Sequence, residues 1–204
     1  SKISTKIKLL NNLIEQFSSV VIGGAMANTF LLANNYNLGK SLVEKNLIQE
    51  ANNIQLKAKK LNCELILPID VVCGKNIHDT NPVHRKINEV LPEEMVLDIG
   101  DESTQLIKNK IINSKMVLWN GPVGAFEFKP YDKATNAIAN VIKVNAKKLN
   151  INTLAGGGDT VSAIKNTHAE DGFNYISNAG GAFLEWLEGN ESPGVKSLKE
   201  NNLT

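Results

Sequence analysis

The chain has 204 residues, 42% of them hydrophobic and 5% aromatic, with 22 basic against 21 acidic side chains; this suits one domain with a sizeable core and speaks against disorder and against a nucleic-acid surface. Cys63 and Cys73 form no C-x-x-C pair, and His78, His84 and His168 lack metal-ligand spacing, which argues against structural zinc and a disulfide framework. The longest apolar runs are strand-sized, far short of the roughly 20 residues that span a bilayer, so no membrane contact and a reducing, cytoplasmic setting are expected.

Ser1 to Lys6 run straight into an amphipathic pattern, so the chain is expected to begin part-way through a fold. Residues 19–23 read as a strand, and Gly23-Gly24-Ala25-Met26-Ala27 opens a helical stretch. Leu47, Ile48, Ala51, Ile54, Ala58 and Leu61 then recur at helical spacing, and residues 64–68 read as the next strand. Residues 69–90 break the alternation with a β-like run, Gly74 and Asn81-Pro82, the mark of an added hairpin. Strands follow at 95–99 and 116–119, a helical stripe at Ala134, Ala137, Ile138, Val141 and Ile142, a strand at 152–155, a helix over 161–166 and a last strand at 175–177. The alternation predicts an α/β fold: a doubly wound, Rossmann-like three-layer sandwich around a mainly parallel six-stranded sheet. With no linker-like tract, residues 1–204 read as a single domain.

Glycine turns end several of these strands. Gly156-Gly157-Gly158-Asp159-Thr160 precedes a helix, so its bare amides form a seat for an anion; a tight turn using positive φ is the plainer alternative. Asp159 reads either as a Mg²⁺ ligand beside a phosphate or as an N-cap. Ala179-Gly180-Gly181-Ala182 repeats the arrangement after the last strand. Trp119-Asn120-Gly121-Pro122-Val123-Gly124 supplies a stiff loop with an amide, and Glu127 an acid for ribose hydroxyls; the alternatives are a core aromatic and a solvated acid. In doubly wound sheets such turns converge at the carboxyl ends of the strands. Gly39-Lys40-Ser41 resembles the end of a phosphate-binding P-loop but has Asn34 where the first glycine belongs, and no G-x-G-x-x-G follows any strand. A nicotinamide-dependent dehydrogenase is therefore disfavoured.

KISTKI, IGGAMANTF, DIG, LWNGPVGAFEF, AGGGDT and SNAGGAFLEWLEG followed by SPGV, in that order from Lys2 to Val195, resemble the signature of phosphoglycerate kinase. The resemblance covers the nucleotide-binding C-terminal half of that family. It implies that the N-terminal half, which holds phosphoglycerate, lies outside this sequence. It further implies ATP or ADP as substrate, Mg²⁺ as cofactor, and reversible phosphoryl transfer between 1,3-bisphosphoglycerate and ADP to give 3-phosphoglycerate and ATP. By the same resemblance Lys2 and Lys6 touch the nucleotide phosphates, Gly23, Gly24, Gly100, Asn120, Gly121, Pro122 and Glu127 enclose adenine and ribose, and Gly157, Gly158 and Thr160 hold phosphate. Asp159 carries the metal, while Lys6, Gly180 and Gly181 act on the transferring group. The chain departs from the commonest family form at Ala25, Asn178, Ala179 and Phe183. Catalysis in the family needs both halves, so this chain is expected to bind nucleotide without turnover, with a monomeric full-length enzyme. A nucleotide-binding module without catalysis is the alternative, and Lys6 is the residue that separates the two.

Overall fold

The computed structural model describes Ser4 and residues 6–177. The first helix, α1 (Ile7–Gln16), buries Leu9, Leu10 and Ile14, of which Leu10 and Ile14 lie one turn apart on one face. Strand β1 (Ser19–Val21) leads through Gly23 into α2 (Gly24–Ala33), and α3 (Ile48–Lys60) returns the chain to β2 (Glu64–Ile66). Ala51, Ile54 and Ala58 supply the buried stripe of α3; Leu61, the last member of the predicted stripe, is 48% exposed. β1 and β2 run parallel, as a strand–helix–strand crossover requires.

The 69–90 segment contains β3 (Asp70–Gly74) and β4 (Val83–Lys86), paired antiparallel as a hairpin. β3 also pairs antiparallel with β5 (Met95–Ile99). After β5 come α4 (Asp101–Ile112), β6 (Met116–Trp119), α5 (Lys133–Asn145), β7 (Asn152–Gly156), α6 (Gly158–Asn166) and β8 (Tyr175–Ser177). β6, β7 and β8 form a parallel ladder with β7 in the middle. No helix among the described residues is long and apolar enough to cross a membrane.

The α/β class and all six predicted strands are present, but the single six-stranded sheet needs correcting. Eight strands form among the described residues, in three ladders ordered β1-β2, β4-β3-β5 and β6-β7-β8. The hairpin accounts for the two extra strands, because β3 takes an edge of β5. β1 and β6 face one cavity, which Val21 and Met116 both line, and neither strand pairs with the other in the described ladders. The core divides in the same way. Leu10, Ile14, Ile22, Phe30 and Ile54 pack around β1, and Trp119, Ile138, Ile142, Ala155 and Ile164 around β6 and β7.

Two aspartates tie helices to neighbouring strands. The Asp70 carboxylate accepts the Ser103 N–H at 2.7 Å and the Glu102 N–H at 2.9 Å, capping α4 from β3; such a cap is worth about 1 kcal/mol. A Cβ at Gly100 would stand 2.2 Å from Asp70 Oδ2, so the glycine gives that carboxylate its room. Asp98 Oδ2 accepts the Ala134 N–H at 3.1 Å in the first turn of α5, and Oδ1 accepts the Ile99 N–H at 2.9 Å.

Candidate functional site

The turn after β1 and the loop after β6 meet at glycine distance. Gly24, at φ +61°, donates its N–H to the Val123 carbonyl at 2.9 Å, and a Cβ at Gly23 would lie 2.9 Å from Val123 Cα. The loop is fixed from behind. Trp119 is buried, stacks on Phe173 with ring centroids 6.1 Å apart, and donates its indole N–H to the Gly121 carbonyl at 2.7 Å. The Ala125 N–H reaches the Leu97 carbonyl at 2.7 Å, and the Val123 N–H reaches the Thr135 hydroxyl at 3.2 Å. Trp119 is thus both core aromatic and loop support.

Asn120 joins three parts of the chain. Its side-chain oxygen accepts from the Lys6 ammonium, and its amide donates to the Gly156 carbonyl at 2.9 Å, where β7 ends. Beside it the Gly121 N–H donates to Thr160 Oγ1 at 2.6 Å. Gly157 occupies the N-cap of α6 at φ +95°, a backbone region that favours glycine, and a Cβ there would meet Asn120 Nδ2 at 3.1 Å. Gly158 has open space around it. Because Gly157 is the cap, Asp159 instead sits exposed in the first turn of α6. Burial pushes the Lys6 ammonium below its ordinary pKa, and the Asp159 charge partly offsets this, as a nearby carboxylate should.

A cavity of about 500 Å³ opens here, and Lys6, Gly23, Gly24, Asn120, Pro122 and Asp159 line it together with Gly121. Much of the remaining lining is apolar, Leu10, Ile111, Leu118 and Ile142 among it. One end therefore offers a cation, a carboxylate and a glycine-rich helix start, and the rest offers hydrocarbon, the division expected of a pocket for a ligand with one anionic end. Among the described residues no group of three or more His, Cys, Asp or Glu could hold a metal ion. A cation beside Asp159 would accordingly take one protein carboxylate and fill its other positions from a bound anion and water, a pattern usual for Mg²⁺.

The predicted residues fall into four sets. Lys6, Gly23, Gly24, Asn120, Gly121, Pro122 and Asp159 line the cavity. Gly157 and Thr160 adjoin it through Asn120 and Gly121, with Gly158 between them in the chain. Gly100 and Glu127 are not among the lining residues; Gly100 packs on Asp70, and Glu127 is exposed in the loop before α5. Lys2, Gly180 and Gly181 lie outside the described residues. The sequence reading passed over Asn28, Leu42 and Asp98, which also line the cavity. A signal existed for two of them: Asn28 interrupts the apolar run of α2, and Asp98 sits inside the apolar strand β5.

Comparison with known proteins agrees with the motif order. The family profile described as phosphoglycerate kinase matches residues 1–190. Phosphoglycerate kinase of Xanthobacter flavus is 45% identical over 201 residues, covering 98% of this chain and 50% of that protein. The enzyme of Brucella abortus is 45% identical over 202 residues, covering 98% and 51% respectively. The structure of phosphoglycerate kinase from Coxiella burnetii superposes with a TM-score of 0.93 at 35% identity, over 98% of this chain and 51% of that one. The chain thus spans about half the length of the relatives it matches. With the profile covering most of its length and the glycine turns gathered on one cavity, this chain belongs to the phosphoglycerate kinase family.

Proposed function

We propose that this chain is the nucleotide-binding, C-terminal half of a cytoplasmic, monomeric phosphoglycerate kinase, carrying Mg-ADP or Mg-ATP for reversible phosphoryl exchange with 1,3-bisphosphoglycerate. The phosphoryl group of the acyl phosphate passes to the terminal oxygen of ADP, its bond to the carboxyl oxygen breaking as the bond to ADP forms, and leaves 3-phosphoglycerate and ATP. The other substrate enters through the N-terminal half, so the chain alone binds without turnover. The observation that carries this reading is the convergence of Lys6, Asn120 and the 156–160 turn, three distant parts of the sequence, on one cavity.

The chemistry asks little covalent work of the protein. The attacking oxygen of ADP is already anionic, so no general base is required, and catalysis rests on positioning and charge neutralisation. The Lys6 ammonium, already desolvated by burial, acts on phosphoryl oxygens more strongly than a solvated lysine would. The N-terminal amides of α6 orient the polyphosphate. Asp159 would hold Mg²⁺, which supplies neutralisation of phosphate charge when bound. The apolar wall keeps water from the transferring group.

Calorimetric titration of the chain with Mg-ADP tests this. Saturable binding is expected, weakened about 10- to 100-fold by Lys6→Ala and by Asp159→Ala, since charge-assisted contacts are worth about 1.5–3 kcal/mol. Turnover should appear only when the phosphoglycerate-binding half is added. A well-folded chain that takes up no Mg-ADP overturns the reading.

A further inference from the structure

Helix α1 begins without a cap of its own. Lys6 is its N-cap residue and makes no side-chain cap bond, and its first turn holds no acid, so a lysine stands where free amides and the helix dipole favour an acceptor. The acid comes from elsewhere. Glu44, half-buried in the loop between α2 and α3, accepts the Ser4 hydroxyl at 2.6 Å on Oε1 and the Ser4 N–H at 3.4 Å on Oε2. That contact grips the chain two residues ahead of Lys6. Glu44 is itself fastened from α2, since its N–H donates to Thr29 Oγ1 at 3.0 Å, while Asn28 Nδ2 donates to the Leu42 carbonyl at 3.3 Å. Asn28 and Thr29 are buried, and they are the two polar residues of an otherwise apolar helix. Burying such groups is costly unless they are bonded, and both spend a bond on the 42–44 loop.

A chain of bonds thus runs from the inside of α2 through Glu44 to Ser4, and Lys6 is where it ends. The Lys6 ammonium sits on a long side chain with much rotamer freedom, reaches across to Asn120 and is desolvated by burial. Where the backbone at the start of α1 lies decides where that ammonium lies, and a displacement of about 1 Å at a group that acts by position is costly. We propose that Glu44 is a positioning residue for Lys6: by holding Ser4 against the α2 side it fixes the start of α1, and with it the reach of the Lys6 ammonium to the phosphates of a bound nucleotide. Glu44 is not among the residues that line the cavity, so it acts through Lys6 and touches no ligand. Leu42, two residues before it, does line the cavity; one loop therefore shapes the apolar lining and steadies the cation. The inference rests on the nucleotide-binding reading above.

The test is a double-mutant cycle read by calorimetry with Mg-ADP on the whole chain, each variant first checked for folding by thermal denaturation. Glu44→Ala should weaken Mg-ADP roughly fivefold, the scale of coupling between residues joined by one contact. Glu44→Gln keeps an oxygen that can accept the Ser4 hydroxyl and should stay within about twofold of wild type. In a Lys6→Ala background Glu44→Ala should change affinity by less than about twofold, because the residue it positions is gone; a merely structural role would cost the same with or without Lys6. Should Glu44→Ala fail to fold, Ser4→Ala removes the same hydroxyl bond at an exposed position and runs through the same cycle, with an expected loss of about threefold. A folded Glu44→Ala that binds Mg-ADP as wild type does overturns the inference. So does a loss of equal size in the Lys6→Ala background, which would place the effect in the cavity lining through Leu42. Failure of wild type to bind Mg-ADP counts against nucleotide binding itself and is thereby distinguished.

Discussion

The turn at Gly39-Lys40-Ser41 and the turn at Gly157-Gly158-Asp159-Thr160 have much the same composition: glycine at positive φ, a charged residue and a hydroxyl. Their surroundings differ. At Gly39 a Cβ would lie 2.3 Å from the Leu91 carbonyl oxygen and 2.4 Å from that of Glu94. The Lys40 N–H is taken by the Glu94 carbonyl at 2.7 Å, and the Ser41 hydroxyl accepts the Val96 N–H at 2.8 Å. That turn is full of its own chain. A Cβ at Gly158 would meet no other part of the chain within 4 Å, and the amides that open α6 remain for a ligand. Room and unspent donors, more than glycine itself, separate an anion seat from a packing turn.

Substitutions break the comparison in opposite directions. Gly39→Ala should be the most damaging, because its methyl meets two backbone carbonyls at a φ that disfavours side chains; urea denaturation should show a loss of about 3 kcal/mol or more, with Mg-ADP affinity of the folded fraction unchanged. Lys6→Arg sharpens the other side. Since burial lowers the Lys6 pKa, the cation is present below that pKa and lost as pH rises through it. Mg-ADP affinity should therefore fall with rising alkaline pH sooner than for a lysine in water, and the arginine variant, which stays charged, should hold its affinity over the same range. Gly158→Ala is the mildest. It should alter stability by no more than about 0.5 kcal/mol, while its methyl in the open turn weakens Mg-ADP by roughly fivefold, about 1 kcal/mol; titration and denaturation of one preparation separate the two.

Legibility followed sequence distance. Strands β6 and β7 announced themselves as short apolar runs, and the α3 and α5 stripes because helical period is a local property. The decoy at Gly39 was excluded by one missing glycine at Asn34, and the carbonyls of Leu91 and Glu94 supply the physical reason. The split of the strands into separate ladders could not be read, since β3 takes its place through a partner more than twenty residues away. Gly100 shows a similar limit: its neighbour Asp70 comes from another strand. Asn28 interrupts an apolar helix, but the reading passed over it, because the Leu42 carbonyl that takes its amide lies fourteen positions on.

Asp98 gives the molecule a property unrelated to any ligand. Burial raises its carboxyl from 3.8 to about 7 against two accepted N–H groups, and the nearby charges of Asp132 and Asp101 push the same way. In the unfolded chain it titrates as an ordinary aspartate, near 3.9. Between those two values the native chain holds a proton that the denatured chain gives up. Unfolding in weakly buffered water near pH 5.5 thus acidifies the solution, and native stability declines as pH climbs through that window and levels off above it. Strand β5, whose Asp98 lines the cavity, doubles as a proton reservoir, discharged whenever the fold opens.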